Sequence, residues 1–186
     1  MMIAIHQPNF FPWFPFFLKM KSSEKFVILN HCQFEKNNYQ NRFFYRGTWQ
    51  TMSVEKGLDP IIEKKYVNPF EDWERIKRRV PDKSKILEKF DSCISDSLSI
   101  TNINLISSVS QQLQIDTEIL FDEKTELTSN ERLISICQKI GADKYLAGSG
   151  GKKYMDLKKF NDAGIEVVFQ EVEDKDKVHI LDILGN

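Results

Sequence analysis

Two kinds of apolar pattern run along this chain. Short unbroken apolar runs suit strands buried on both faces, and apolar residues returning every three or four positions suit helices packed by one face. Met2 to Ile5 is a run of the first kind. Pro12 to Met20 follows; proline fits a first helical turn, so a helix proper is expected from about Phe16. "KFVILN", Lys25 to Asn30, is the second run. Strand, helix and strand within about thirty residues predict a βαβ unit with parallel pairing.

Phe43 to Arg46 and Thr48 to Val54 read as a hairpin turning at Gly47. "NPFEDWERIKRRV" predicts a helix with Asn68 as cap, Pro69 in the first turn, acids early and bases late; Pro81 ends it. Lys83 to Leu113 predicts two helices broken near "SLSITN", with Ile103, Ile106, Val109 and Leu113 on one core-facing stripe. Thr117 to Asp122 is a third parallel strand. A helix follows, capped by Ser129 or Asn130 and ended by Gly141, with Leu133, Ile136, Cys137 and Ile140 inward. "KYLAGSGGKKYMDLKKFNDAG" gives a fourth strand, a glycine loop and a helix. "IEVVFQEV" is a fifth strand, and "ILDILG" a closing helical turn. The order predicts an α/β fold: a mainly parallel sheet with a β-hairpin and a helical insertion. It forms one domain over 1–186, with the helical segment at about 69–114.

Charge narrows the partners. Lys+Arg 26 against Asp+Glu 27 leaves no global basic field, which argues against nucleic acid. No apolar run approaches the roughly 18 residues of a membrane span. The three cysteines, at 32, 93 and 137, form no CxxC pair and suit free thiols in a reducing compartment. With no basic, cleavable leader evident, a soluble cytoplasmic protein is expected. The histidines and cysteines lack zinc spacing, so no metal is expected, and no cofactor is required by these residues. The charged run "EDKDKVH" reads as a solvated loop. Oligomeric state is open, a homo-oligomer included.

Three segments carry candidate chemistry, each at the exit of a strand. His6, Gln7 and Asn9 leave the first strand amid aromatics and prolines. Imidazole serves as general base or hydrogen-bond donor, and the amides read polar substrate edges; the competing reading makes His6 a cap in a buried turn. The aromatics themselves read as core. "QFEKNNYQNR" sets Gln33, Asn37, Asn38, Gln40 and Asn41 beside Lys36 and Arg42. That composition suits a hydroxyl-rich ligand with an anionic group, or simply a polar surface loop. Gly148, Ser149, Gly150 and Gly151, with Lys152 and Lys153, join a strand to a helix. They form an anion cradle or a flexible turn; the spacing is neither GxGxxG nor a Walker A motif. Because ligands of parallel sheets bind beyond the strands' carboxyl ends, all three segments are expected to face one crevice.

"IHQPNFFPWFPFFLKM", "FVILNHCQFEKNNYQNR", "NERLISICQKIGADKYLAGSGGKKYMDLKKFNDAGIEVVFQEV" and "ILDIL" together resemble the WbqC-like family of bacterial surface-polysaccharide (O-antigen) gene clusters. The family pattern falls on His6, Gln7, Pro8, Pro12, Trp13, Gln33, Phe34, Lys36, Asn41, Arg42, Gly148, Gly151, Tyr154 and Asp156. Two positions depart from it. Asn30 and His31 stand where members usually carry an acidic pair, and Pro15 stands for a usual glycine. A weaker similarity of arrangement, to pantoate–amine ligases of the nucleotidyltransferase superfamily, implies a Rossmann-like (nucleotidyltransferase-like) sheet, although their full HxGH motif is missing.

The resemblance implies a transferase that moves an acyl or aminoacyl group onto a sugar or nucleotide-activated amino sugar. Its small-molecule partners would be a nucleotide-sugar or an acyl donor. In that scheme His6 is the general base. Gln7, Asn9, Gln33, Lys36, Asn41, Tyr154 and Asp156 contact substrate, Trp13 stacks on a ring or walls the pocket, and Arg42 with Gly148–Lys152 holds a phosphate or carboxylate. A non-catalytic nucleotide-sugar-binding component and an ATP-dependent amide ligase are the alternatives.

Overall fold

The computed structural model describes residues 1–185. β1 (Met2–His6), α1 (Phe14–Lys21) and β2 (Lys25–Ile28) form the first βαβ unit, with β1 and β2 parallel. The hairpin is β3 (Arg42–Tyr45) and β4 (Thr48–Thr51). Its two-residue turn holds Arg46 at φ 45° and Gly47 at φ 81°, the positive pair that matches the twist of paired strands. α2 (Pro69–Arg79), α3 (Ser84–Glu88) and α4 (Leu98–Gln112) make the helical insertion. β5 (Glu118–Phe121), α5 (Ser129–Ile140), β6 (Lys144–Ala147), α6 (Leu157–Asp162), β7 (Glu166–Phe169) and α7 (Ile180–Ile183) complete the described residues.

The five sheet strands lie in the order β5-β2-β1-β6-β7, every neighbouring pair parallel. Side chains alternate across the sheet as the pleat requires. Ala4, Phe26, Ile28 and Leu146 enter one core with Phe16, Phe17 and Met20 of α1 and Leu105, Ile106 and Val109 of α4. Ile3, Ile5, Val27, Tyr145 and Ala147 enter the other, with Cys137 of α5 and Phe160 of α6. Burial on both faces is why these strands read as unbroken apolar runs. The fold is Rossmann-like α/β, with the hairpin and helical insertion on the α1 side.

Two local expectations change. The insertion breaks before "SLSITN", around a 3-10 turn at Asp91–Cys93, and α4 runs through that stretch. Ser97 starts α4 by accepting a hydrogen bond from the Ile100 amide, 3.3 Å away. At α5 the cap position is Thr128, and its side chain bonds no helical amide.

Asp122, just past β5, ties the second strand to α5. One carboxylate oxygen accepts the Asn30 amide at 2.7 Å and approaches His31 Nδ1 at 3.2 Å, and the other pairs with Arg132. Asn30 is buried, its side-chain oxygen accepting the Ser99 hydroxyl at 2.9 Å.

Candidate functional site

The strand order reverses between β1 and β6. From β1 the chain winds through α1 to β2 and β5, then returns through α5 to β6 and β7. At such a point the crossovers diverge and leave a crevice beyond the carboxyl ends of the two strands. His6 ends β1 there, and Gly148 follows Ala147 at the end of β6.

Two cavities open at this place and share His6. The larger, of about 570 Å³, is lined by Gln7, Asn9, Phe11, Trp13, Asn38, Tyr39, Phe43 and Phe44, and by Lys177 to His179 from the C-terminal segment. The smaller, of about 390 Å³, is lined by Ile5 and Lys19, by Ser129, Asn130 and Leu133 at the start of α5, and by Gly148, Gly150, Gly151 and Tyr154. Imidazole is thus the side chain common to both.

The aromatics explain how the first crossover is held. Phe11 has φ 45°, a conformation that costs a non-glycine residue energy. Its ring is seated against Trp73, parallel to within 7° at 5.7 Å, and edge-on to Phe90 at 5.1 Å. Phe10, Phe11, Phe16 and Phe17 are core, whereas Trp13, Tyr39 and Phe44 are each about half exposed and rim the larger cavity.

His6 is half-buried. Its Nδ1 lies 2.9 Å from the Gln7 carbonyl oxygen, which can only accept, so Nδ1 carries the proton and Nε2 keeps a free lone pair. Burial, and then the nearby Lys19 charge, lower its pKa to about 3, so the ring is neutral. Gln7 is itself fixed: its side-chain oxygen accepts the Gln40 amide at 2.8 Å. Gln40 and Pro8 in turn present backbone oxygens to one buried amide, Asn102 Nδ2 of α4, at 2.7 and 2.8 Å. The helical insertion thereby clamps the first two candidate segments together.

The remaining candidate residues are distributed differently. Asn41 is buried and donates to the Met52 carbonyl at 2.8 Å. Arg42 packs its guanidinium over Trp49, 3.9 Å from the ring centroid, and bonds Asn37. Gln33 and Lys36 are exposed, and Gln33 forms an isolated bridge with Pro60. None of these four lines either cavity. Ser149 and Lys152 also lie outside both linings, with Lys152 Nζ 5.3 Å from the Phe169 ring centroid. Asp156 caps α6 through the Lys158 and Lys159 amides. The single expected crevice therefore becomes two compartments, to which the amide-rich stretch contributes Asn38 and Tyr39. Asn30 and His31 line neither compartment.

Lys19, Tyr39, Phe44 and His179 were not among the residues marked from sequence. A lysine inside the apolar helix "FPFFLKMK" was the available signal for Lys19. The end of the charged run is anchored rather than solvated, since Val178 accepts the Phe14 amide at 3.1 Å. His179 packs 4.9 Å from the Phe43 ring, and burial lowers its pKa to about 4.

Among the described residues no helix is long and apolar enough to cross a membrane. No solved structure matches the chain. A protein of Mycobacterium tuberculosis (strain ATCC 25618 / H37Rv), named as uncharacterized protein Rv1507c, is 24% identical over 186 aligned residues, 90% of this chain and 80% of the relative. The profile of one family runs from residue 7 to residue 178, spanning nearly all the elements that build the two cavities, and on that match the chain belongs to the WbqC-like protein family.

Proposed function

We propose that this protein is a transferase of bacterial surface-polysaccharide (O-antigen) biosynthesis that moves an acyl or aminoacyl group onto a sugar or nucleotide-activated amino sugar. The observation that carries the reading is the position of His6, a neutral imidazole with a free Nε2 and a place in the lining of both cavities. In this reading the larger cavity takes the acceptor. Its half-exposed Trp13, Tyr39 and Phe44 rings present apolar faces, and Gln7, Asn9 and Asn38 present amides, a combination suited to a pyranose ring and its hydroxyls. The smaller cavity takes the activated end of the donor against the glycine main chain. His6 accepts the proton of the incoming amine or hydroxyl as the new bond to the acyl carbon forms and the donor's leaving group departs.

The test is acyl transfer from an activated acyl donor to an amino-sugar acceptor by His6→Gln, which keeps a polar side chain and removes the base. The expected loss in kcat is ~10²–10⁴ with the circular dichroism spectrum and Tm retained. Full activity in that variant would end the base assignment. The second reading, a non-catalytic nucleotide-sugar-binding component, draws on Asn30 and His31 standing where the family usually has acids. Tight nucleotide-sugar binding with no turnover in any acceptor mixture would favour it. Both positions lie outside the cavities, so their identity leaves the proposed chemistry intact.

A further inference from the structure

Lys19 is the least expected group in the molecule. It is 3% exposed, sits on α1 among phenylalanines, and lines the smaller cavity. Its Nζ donates one hydrogen bond, to the Ile5 carbonyl at 3.1 Å, and lies 5.8 Å from the Phe26 ring centroid. An ammonium has three donors. Among the described residues no carboxylate stands within ion-pair distance of it, whereas the comparably buried Lys64 is paired with Asp59 at 3.0 Å. A buried cation without a counter-charge is costly unless something supplies one.

The surroundings of Lys19 are arranged to receive that charge. The first turn of α5, a twelve-residue helix without a side-chain cap, contributes Ser129, Asn130 and Leu133 to the lining of the same cavity, so its uncapped amides lie beside it. Gly148, Gly150 and Gly151 line the same cavity with main chain, and a Cβ added at Gly148 or Gly150 would meet open space. The titratable groups sharing the cavity are His6 from β1, Tyr145 from β6 and Tyr154 from the glycine loop; α5 contributes Ser129, Asn130 and Leu133, none of which titrates. Among the described residues no acid lines this cavity.

We propose that the smaller cavity is an anion site, for the phosphate or carboxylate of the donor, and that Lys19 is its counter-charge. The inference rests on the transferase reading only for the word donor; the anion site stands without it. Two consequences follow. Burial lowers the Lys19 pKa to about 7, so near neutral pH an arriving anion is accompanied by proton uptake. The Lys19 charge is also one cause of the depressed His6 pKa. Because the proton and the anion enter together, the pair adds no net charge beside His6.

Sulfate, whose charge is constant from pH 6 to 9, is the probe, with acetate as the carboxylate arm. Calorimetry in buffers of different ionisation enthalpy should show sulfate or acetate binding with proton uptake at pH 8, tighter at pH 6 than at pH 9. Which anion prevails identifies the donor's group. Lys19→Met should weaken binding by about tenfold or more and abolish the uptake. Lys19→Arg, which stays charged, should bind without uptake. Absence of binding by folded wild type, equal affinity in Lys19→Met, or binding without proton uptake in the wild type would overturn the proposal. Should Lys19→Met fail to fold, the wild-type uptake alone decides. Lys19-dependent anion binding with no acyl transfer to any acceptor would retain the anion site and discard the transferase.

Discussion

Burial moves two imidazoles and one amine toward neutrality, and each leaves a mark on how stability varies with pH. His6 and His179 are held at about 3 and about 4, below their ordinary 6.5. Between pH 6.5 and 4 the unfolded chain binds protons that the native protein does not, so stability is whole above 6.5 and falls as pH drops through that window. Lys19 goes from 10.5 to about 7, so from pH 7 upward the unfolded chain holds a proton that the native protein has released. Its contribution makes stability rise with pH. Burial pushes the thiols of Cys32, Cys93 and Cys137 above their ordinary 9.0, and the Asp143 hydrogen bond raises the Met1 amino group above its ordinary 8.0; these act in the opposite direction above pH 9 and pH 8 respectively. The readable range is therefore pH 5 to 8. Wild-type Tm is expected to climb across it. Lys19→Met should retain the acid limb, lose the rise between 7 and 8, and melt higher than wild type at pH 6. A variant profile superimposable on wild type would mean that the amine is hydrated in solution and carries no burial penalty.

At the scale of elements, α4 shows how a polar residue in a helix is both misread and indispensable. Thr101 and Asn102 look like a helix break because such side chains compete locally with backbone hydrogen bonding. In the fold both are completely buried, and the Asn102 amide serves carbonyls 94 and 62 residues away in sequence. Tyr66 adds a third bond by donating to Asn102 Oδ1 at 3.2 Å. Asn102→Leu removes the partner of two buried carbonyls and one hydroxyl, each costing about 1–3 kcal/mol when left bare. Chemical denaturation should show a loss well above 1 kcal/mol, and the Gln7–Gln40 contact should loosen with it. A near-neutral substitution would mean that the two loops hold together without α4. The strands and the βαβ unit were legible because their signals are local: apolar runs, prolines at helix starts, Gly47 at a two-residue turn. The partners of Asn102 were not, since nothing within several residues of it records a contact made across the fold.

For the whole molecule, the same distinction separates the cavity walls. The parallel sheet could be anticipated from strand and helix alternation, and with it the meeting of the first and fourth parallel strands at their carboxyl ends. What alternation does not encode is the divergence of the crossovers on either side of His6, which divides one expected crevice into two compartments. That division makes a kinetic prediction about a two-substrate enzyme. Trp13 borders only the larger compartment and Gly150 only the smaller. Neither change endangers the fold, because Trp13 is 49% exposed and a Cβ on Gly150 meets open space. Trp13→Ala should raise KM for the acceptor by roughly tenfold, the loss of about 1.4 kcal/mol of ring contact, and leave KM for the donor alone. Gly150→Ala should do the reverse by narrowing the donor's compartment, with kcat nearly unchanged in both. His6→Gln, at the junction, should instead lower kcat with either substrate saturating. Steady-state kinetics varying one substrate at a time separates these outcomes. If Trp13→Ala and Gly150→Ala raise the same KM, one ligand spans both cavities, and His6 lies alongside it rather than between two reactants.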